Sequence, residues 1–151
     1  MEEEKRCNLS MEDCFLQAVL AGEKKIDPRQ LSPLTLAFVG DAVFEIYART
    51  HVLFQTGNAP VSKFNKLARG IVNAKAQAEM VFVLEELFTE EEKAVYRRGR
   101  NAKSYTMPKN ADMMDYRHAT GLEAVFGYLY LEGRMERLTA LFQAGLQKKK
   151  S

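Results

Sequence analysis

Two stretches of the chain depart from the usual alternation of apolar and polar positions. Leu34 to Tyr47, LTLAFVGDAVFEIY, is apolar on nearly every side of a helix, yet Asp41 sits in its middle. Ala119 to Leu131, ATGLEAVFGYLYL, is a second such stretch, with Glu123 as its only charge. Helices apolar all round are buried on several sides, in a core or a subunit interface. A buried, ionised carboxylate is costly unless it is paired or holds a metal. The pattern therefore asks whether Asp41 and Glu123 meet, and over what cation.

The remaining elements follow from local signals. Residues 1–9 read as a flexible leader. Ser10 and Asp13 make a capping-box-like start, and MEDCFLQAVLAG reads as a short amphipathic helix closed by Gly22. Ile26 to Leu31 is a connector containing Pro28. Ser32-Pro33 places an N-cap before a proline at the first helical position, and the helix is expected to reach about Phe54. After the turn cluster at residues 56–60, Ser62 is expected to cap a helix reaching Phe88 with a bend at Gly70. Phe64, Leu67, Ile71, Ala74 and Ala78 would form its inner stripe, leaving Lys66, Arg69, Asn73 and Gln77 off it, with Lys75 near them. Thr89 and Glu92 form another capping box, opening EEEKAVYRRGR with acids first and bases last, as the helix dipole favours. NAKSYTMPKN reads as an exposed loop. Ala111 or Asp112 opens the second central helix, which runs to about Glu132 with Gly133 as its C-cap. Arg134 to Gln147 is a last amphipathic helix before the basic tail, residues 148–151. No strand-like alternation, internal repeat or domain boundary appears. The expected fold is all-α, one domain of about six or seven helices over residues 10–147.

Bulk composition narrows the class. With 151 residues, 46% hydrophobic and 28% charged, the chain suits one soluble globular domain. No apolar run reaches membrane-spanning length. The acidic start MEEEKRCN lacks the order of a signal peptide, and Cys7 and Cys14 form neither a zinc pattern nor a disulfide framework. These features point to the cytoplasm.

Net charge is only +2, but its distribution is uneven. Ile46 to Ala78 contains no acid, against Arg49, Lys63, Lys66, Arg69 and Lys75. Arg97 to Ala111 again contains none, against Arg97, Arg98, Arg100, Lys103 and Lys109. The tail ends in Lys148, Lys149 and Lys150. Clustered cations in a nearly neutral protein point to a polyanionic partner. Solvated helix faces and C-terminal dipole partners are the competing explanation for any one cluster.

Hard divalent ions such as Mg²⁺ take oxygen ligands, often one or two carboxylates completed by water and substrate phosphate. Asp41 and Glu123 are candidates, though spacing alone does not bring them together. The alternatives are a salt-bridge row of Asp41, Glu45 and Arg49 on one helix face, an arginine partner for each acid, or Glu123 paired with His118.

LAFVGDAVFEIY closely resembles the signature helix of the ribonuclease III catalytic domain, with its core Phe-(Leu/Val)-Gly-Asp-Ala-Val. ATGLEAVFGYLYLEG is similar to that family's second metal-binding helix. The resemblance spans roughly residues 30–145. Acids that the longer enzymes carry are replaced here by Leu34, Ala37 and Thr120. No double-stranded-RNA-binding domain is expected after residue 145. With LARGIVNAKAQA and YRRGRNAK, these departures match the Mini-ribonuclease III branch. The resemblance implies a homodimer that cuts double-stranded RNA and leaves 5′-phosphate and 3′-hydroxyl ends. The branch's role is maturing the ends of the 23S ribosomal RNA precursor, with a ribosomal protein on the substrate as a candidate assistant. Asp41 and Glu123 would be the catalytic residues and hold Mg²⁺, which Mn²⁺ can replace. Glu45 is an outer-shell candidate. The expected RNA contacts are Arg97, Arg98, Arg100, Asn101 and Lys103, backed by Lys66, Asn73, Lys75 and Gln77. A non-catalytic RNA-binding or assembly protein on the same scaffold is the competing reading, against which both acids stand.

Overall fold

The computed structural model describes residues 26–103 and 112–147. The expected leader, the helix after Ser10, the basic tail and most of the loop after Asn101 lie outside these residues. A 3₁₀ turn at Pro28–Gln30 leads into six α-helices: α1 Pro33–Thr56, α2 Val61–Val72, α3 Ala74–Leu84, α4 Glu90–Asn101, α5 Met113–Leu131 and α6 Met135–Gln147. No strand occurs among the described residues.

Local chemistry sets most boundaries. Ser32 accepts the Thr35 N–H at 3.2 Å and Pro33 follows it, so α1 starts where the sequence places it. Gly57, at φ 70°, ends α1 in a conformation that disfavours a side chain. Thr89 and Glu92 make both bonds of the capping box. Asp112 accepts the N–H groups of Met114 and Asp115 and opens α5.

The expected single helix from Ser62 to Phe88 is a correction. The chain is helical through Gly70 and breaks instead at Asn73, which has extended backbone angles, φ −66° and ψ 157°. Asn73 Oδ1 accepts the Ala76 N–H at 2.7 Å, while its Nδ2 donates to the Arg69 carbonyl at 2.9 Å. One side chain thus caps both helices, which a glycine cannot do. Pro60, not Ser62, precedes the first turn of α2, without a side-chain cap. The inner stripe changes accordingly: Ala68 is buried and Leu67 is exposed.

Helix α5 is the centre of the fold. Residues 119–129 are buried apart from the partly exposed Glu123. α1 packs along α5, and the two backbones touch at glycines: a methyl group on Gly40 would overlap the Glu123 carbonyl, and one on Gly127 the Leu36 carbonyl. α4 runs antiparallel beside α5, Gly99 against Gly121 at one end and the Tyr128 hydroxyl donating to Glu91 at the other. Phe44 meets Phe126 and Phe142 at centroid distances of 5.2 and 5.6 Å. Tyr47 ties α1 to α6 through Thr139 at 2.7 Å.

Within a single chain α1 is not buried all round. Its inner face carries Leu36, Val43, Phe44, Ala48 and Val52. Elsewhere it exposes Phe38 (81%), Ile46 (66%) and Phe54 (83%), along with Leu34 and Leu53.

Candidate active site

The Gly40–Gly127 crossing brings the two carboxylates of the apolar stretches together. Asp41 follows Gly40 on α1, and Glu123 is the α5 residue whose carbonyl faces Gly40. Burial pushes the Glu123 carboxyl up, and the charges of Asp41 and Glu45 add to the effect, raising it to about 7. Asp41 is raised as well, by partial burial and then by Glu45. The charges of Asp41 and Glu45 thus both reach Glu123 over this crossing. Asp41 is nonetheless solvent-exposed, so the expectation of two buried acids holds only for Glu123, and there only in part.

The competing pairings are not made. No ion pair engages Asp41 or Glu123 among the described residues. His118 Nδ1 is bonded to the Tyr96 hydroxyl, and its ring lies 5.5 Å from that of Phe82, so it serves packing between α3, α4 and α5. Only one rung of the expected salt-bridge row exists: Arg49 Nε donates to Glu45 at 3.0 Å. Glu45 and Arg49 line a hollow of about 230 Å³ with Asn65 and Arg69.

Glu123 instead accepts a neutral hydrogen bond. Gln77 Nε2 donates to its Oε1 at 3.2 Å and to the Val72 carbonyl at 2.9 Å. Gln77 is 2% exposed. Expected as an RNA contact, it instead lies buried under α2 and α5, away from the surface where a phosphate would sit. The helix break explains the burial: α3 starts a new phase at Ala74, which turns Gln77 inward. Asn73 is exposed, but its side chain is committed to the two caps.

The other expected RNA contacts lie on the surface. Lys66, Lys75, Arg97, Arg98, Asn101 and Lys103 are exposed, and Arg100 is half-buried. Arg98 is partly spent, donating to the Leu31 carbonyl at 3.1 Å. Arg100 lies 5.7 Å over the Tyr96 ring. With Lys93, Arg97, Tyr96, Phe88 and Glu85 it borders a cavity of about 260 Å³.

No group of three or more His, Cys, Asp or Glu able to hold a metal occurs among the described residues. Asp41 and Glu123 make a two-carboxylate donor set of hard oxygens. That set suits Mg²⁺, which keeps water and phosphate oxygens in the rest of its shell.

Comparison with known proteins defines the class. Residues 34–134 match the ribonuclease III domain family, a span that contains the whole carboxylate crossing. A crystal structure of a Fusobacterium nucleatum protein superposes with a TM-score of 0.72 at 30% identity, covering 83% of this chain and 99% of that one. The Mini-ribonuclease 3 of Thermoanaerobacter sp. (strain X514) is 50% identical over 78% of this chain and 82% of its own. That of Staphylococcus aureus is 47% identical over 74% and 84%, and that of Enterococcus faecalis 45% over 81% and 93%. The chain belongs to the Mini-ribonuclease 3 family and is an endoribonuclease. No described helix is long and apolar enough to cross a membrane.

Proposed function

We propose that this endoribonuclease cuts double-stranded RNA as a homodimer, using Mg²⁺ held by Asp41 and Glu123, and that it matures the ends of the 23S ribosomal RNA precursor. The carrying observation is the meeting of Asp41 and Glu123 at the Gly40–Gly127 crossing without a cationic partner among the described residues. The charge of Asp41 raises the proton affinity of Glu123, and a cation between them stabilises both as carboxylates. When bound, the ion supplies an activated water and neutralises charge at the phosphate under attack. Water adds to phosphorus and the bond to the 3′ oxygen breaks, leaving a 5′-phosphate and a 3′-hydroxyl. Mn²⁺ offers similar oxygen coordination and is expected to substitute.

The homodimer rests on the outer face of α1. At 3.6 residues per turn, Phe38, Ile46 and Leu53 fall within about 80° of one another and form one exposed apolar stripe. A self-complementary stripe suits a two-fold interface, where each contact is made twice. It lies on the helix that carries Asp41, so pairing would set two cleavage centres across one valley. Lys66, Lys75, Arg97, Arg100, Asn101 and Lys103 would then meet phosphates and 2′-hydroxyls, since A-form RNA is read chiefly by shape. The ribosomal RNA substrate, a ribosomal protein's assistance and a cytoplasmic location follow from the family resemblance.

The test is cleavage of a perfectly paired RNA duplex, with Mg²⁺ and with chelator. Wild type cuts only with the ion; Asp41→Asn and Glu123→Gln do not cut, though both stay folded. Cutting at the wild-type rate by either variant in saturating Mg²⁺ overturns the assignment. Retarded but uncut duplex with wild type would favour the scaffold reading.

A further inference from the structure

The break at Asn73 has an effect on Glu123. In an unbroken helix the Ala76 N–H would donate to the Val72 carbonyl, four residues back. Here Asn73 Oδ1 takes that N–H at 2.7 Å. Val72 is the last residue of α2, and its carbonyl accepts instead from Gln77 Nε2 at 2.9 Å. The same amide nitrogen reaches Glu123 Oε1 at 3.2 Å. An amide nitrogen carries two hydrogens, and both are committed, one to the backbone and one to the carboxylate. Reversing the amide would set its oxygen against two acceptors, so the chemistry fixes its orientation. Gln77 is also too buried to swing aside.

Gln77 Oε1 is buried and has no hydrogen-bond partner among the described residues. A buried acceptor left unmet costs roughly 1–3 kcal/mol. A water bound beside Glu123 is the class of donor that fits it. The neutral amide also suits its place. A lysine or arginine there would neutralise Glu123 in place of a metal, whereas an amide orients the carboxylate and leaves its charge available.

We infer that Asn73 and Gln77 form a positioning relay for the catalytic carboxylate. Asn73 frees the Val72 carbonyl, that carbonyl fixes Gln77, and Gln77 holds Glu123 beside Asp41. Neither residue touches substrate. The relay rests on the reading of Glu123 as an ion ligand, and the experiment separates the two.

Mn²⁺ is titrated into the RNA-free protein and free ion is followed by electron paramagnetic resonance. Wild type is compared with Asp41→Asn, Gln77→Met and Asn73→Ala. Wild type binds Mn²⁺ at a site that Asp41→Asn removes. Gln77→Met weakens that site by roughly tenfold or more, as loss of an outer-shell partner does. Asn73→Ala weakens it in the same direction with Gln77 intact, because Ala76 reclaims the Val72 carbonyl. The Mg²⁺ concentration for half-maximal cleavage rises by a similar factor, while the rate at saturating Mg²⁺ falls much less. Wild-type Mn²⁺ affinity in Gln77→Met overturns the relay alone. Mn²⁺ binding indifferent to Asp41→Asn overturns the ion-ligand reading and the relay with it. If Gln77→Met does not fold, Asn73→Ala decides: unchanged affinity overturns the relay.

Discussion

Gly40 lies flat against the backbone of Glu123, with no room for a Cβ between them. That contact lets the helices carrying the two acids approach closely enough for the acids to interact. Gly40→Ala must push α1 away from α5, since the clash is with backbone, not a flexible side chain. The expected cost is roughly 3 kcal/mol, at the upper end for overpacking, with cleavage lost even where the protein folds. Gly70→Ala is the control. A Cβ there meets nothing, and alanine in mid-helix gains about 0.5–1 kcal/mol. Urea unfolding of both variants checks the pair; equal stabilities would show that the crossing is not tight.

The contrast between these glycines also shows what the sequence reveals. Ser32-Pro33, the Thr89–Glu92 box and Asp112 each act within four residues, so they can be read directly. The break between α2 and α3 is different. Gly70 looks like the breaking point because glycine is a poor helix former, but one glycine costs only about 1 kcal/mol and packing absorbs it. Asn73 breaks the helix because its side chain supplies both caps, which depends on the whole local geometry. Once the phase resets there, Gln77 points inward, and a reading based on one continuous helix places it on the wrong face. The meeting of Asp41 and Glu123, 82 positions apart in the sequence, was carried by the family resemblance; periodicity alone left it open.

Glu123 makes stability depend on pH when no metal is present. Its folded carboxyl titrates at about 7, against an ordinary value of 4.5. The folded state therefore binds more protons between those values. Its contribution is fully present below about 4.5 and is lost as pH rises through 7. The loss amounts to roughly 2 kcal/mol once partial exposure is allowed for. In chelator the melting temperature should fall across this window, and Glu123→Gln should flatten the fall. Adding Mg²⁺ should flatten it in wild type. A wild-type profile in chelator matching that of Glu123→Gln would exclude the effect.

Arg137 makes with Glu92 the reverse electrostatic case, a buried carboxylate with a cationic partner. Its guanidinium donates to both oxygens of Glu92, at 2.8 and 3.0 Å, and to the Leu87 carbonyl at 2.7 Å. Glu92 is fully buried. Burial pushes its carboxyl up, but the Arg137 and Thr89 hydrogen bonds outweigh that and leave it below its ordinary value. Its stabilisation is present above the ordinary carboxylate range and is lost as pH falls through the lowered value. Arg137→Met strands a buried charge and should cost roughly 3–5 kcal/mol. Adding Glu92→Gln should recover part of that, seen as a partial return of the urea midpoint.

The apolar stripe of α1 gives a clean test of pairing. Phe38→Glu or Ile46→Glu places a charge at an apolar contact repeated on both protomers. Sedimentation should show monomers with wild-type helix content, because neither side chain packs in the core of its own chain. Burying one such side chain contributes about 1.5–3 kcal/mol, so two-fold repetition makes either substitution sufficient to dissociate the pair. Cleavage should fall with dimerisation. A dimer that survives both substitutions would place the interface elsewhere.

The basic surface makes a quantitative prediction. Lys66, Arg97 and Lys103 are exposed, and no ion pair occupies any of them among the described residues. Each is therefore free to displace a counterion from RNA. Replacing all three by alanine should weaken duplex binding and reduce the slope of log affinity against log salt by roughly 2–3, at about 0.9 per contact by analogy with B-form DNA. Arg98 behaves differently. Its bond to the Leu31 carbonyl ties α4 to the start of α1, so Arg98→Ala should change that slope less than Arg97→Ala does. Binding is measured in Ca²⁺ with Asp41→Asn, so that cleavage does not interfere. An unchanged slope in the triple variant would remove these three side chains from the RNA path and leave the hollow beside Glu45 and Arg69 as the surface to test next.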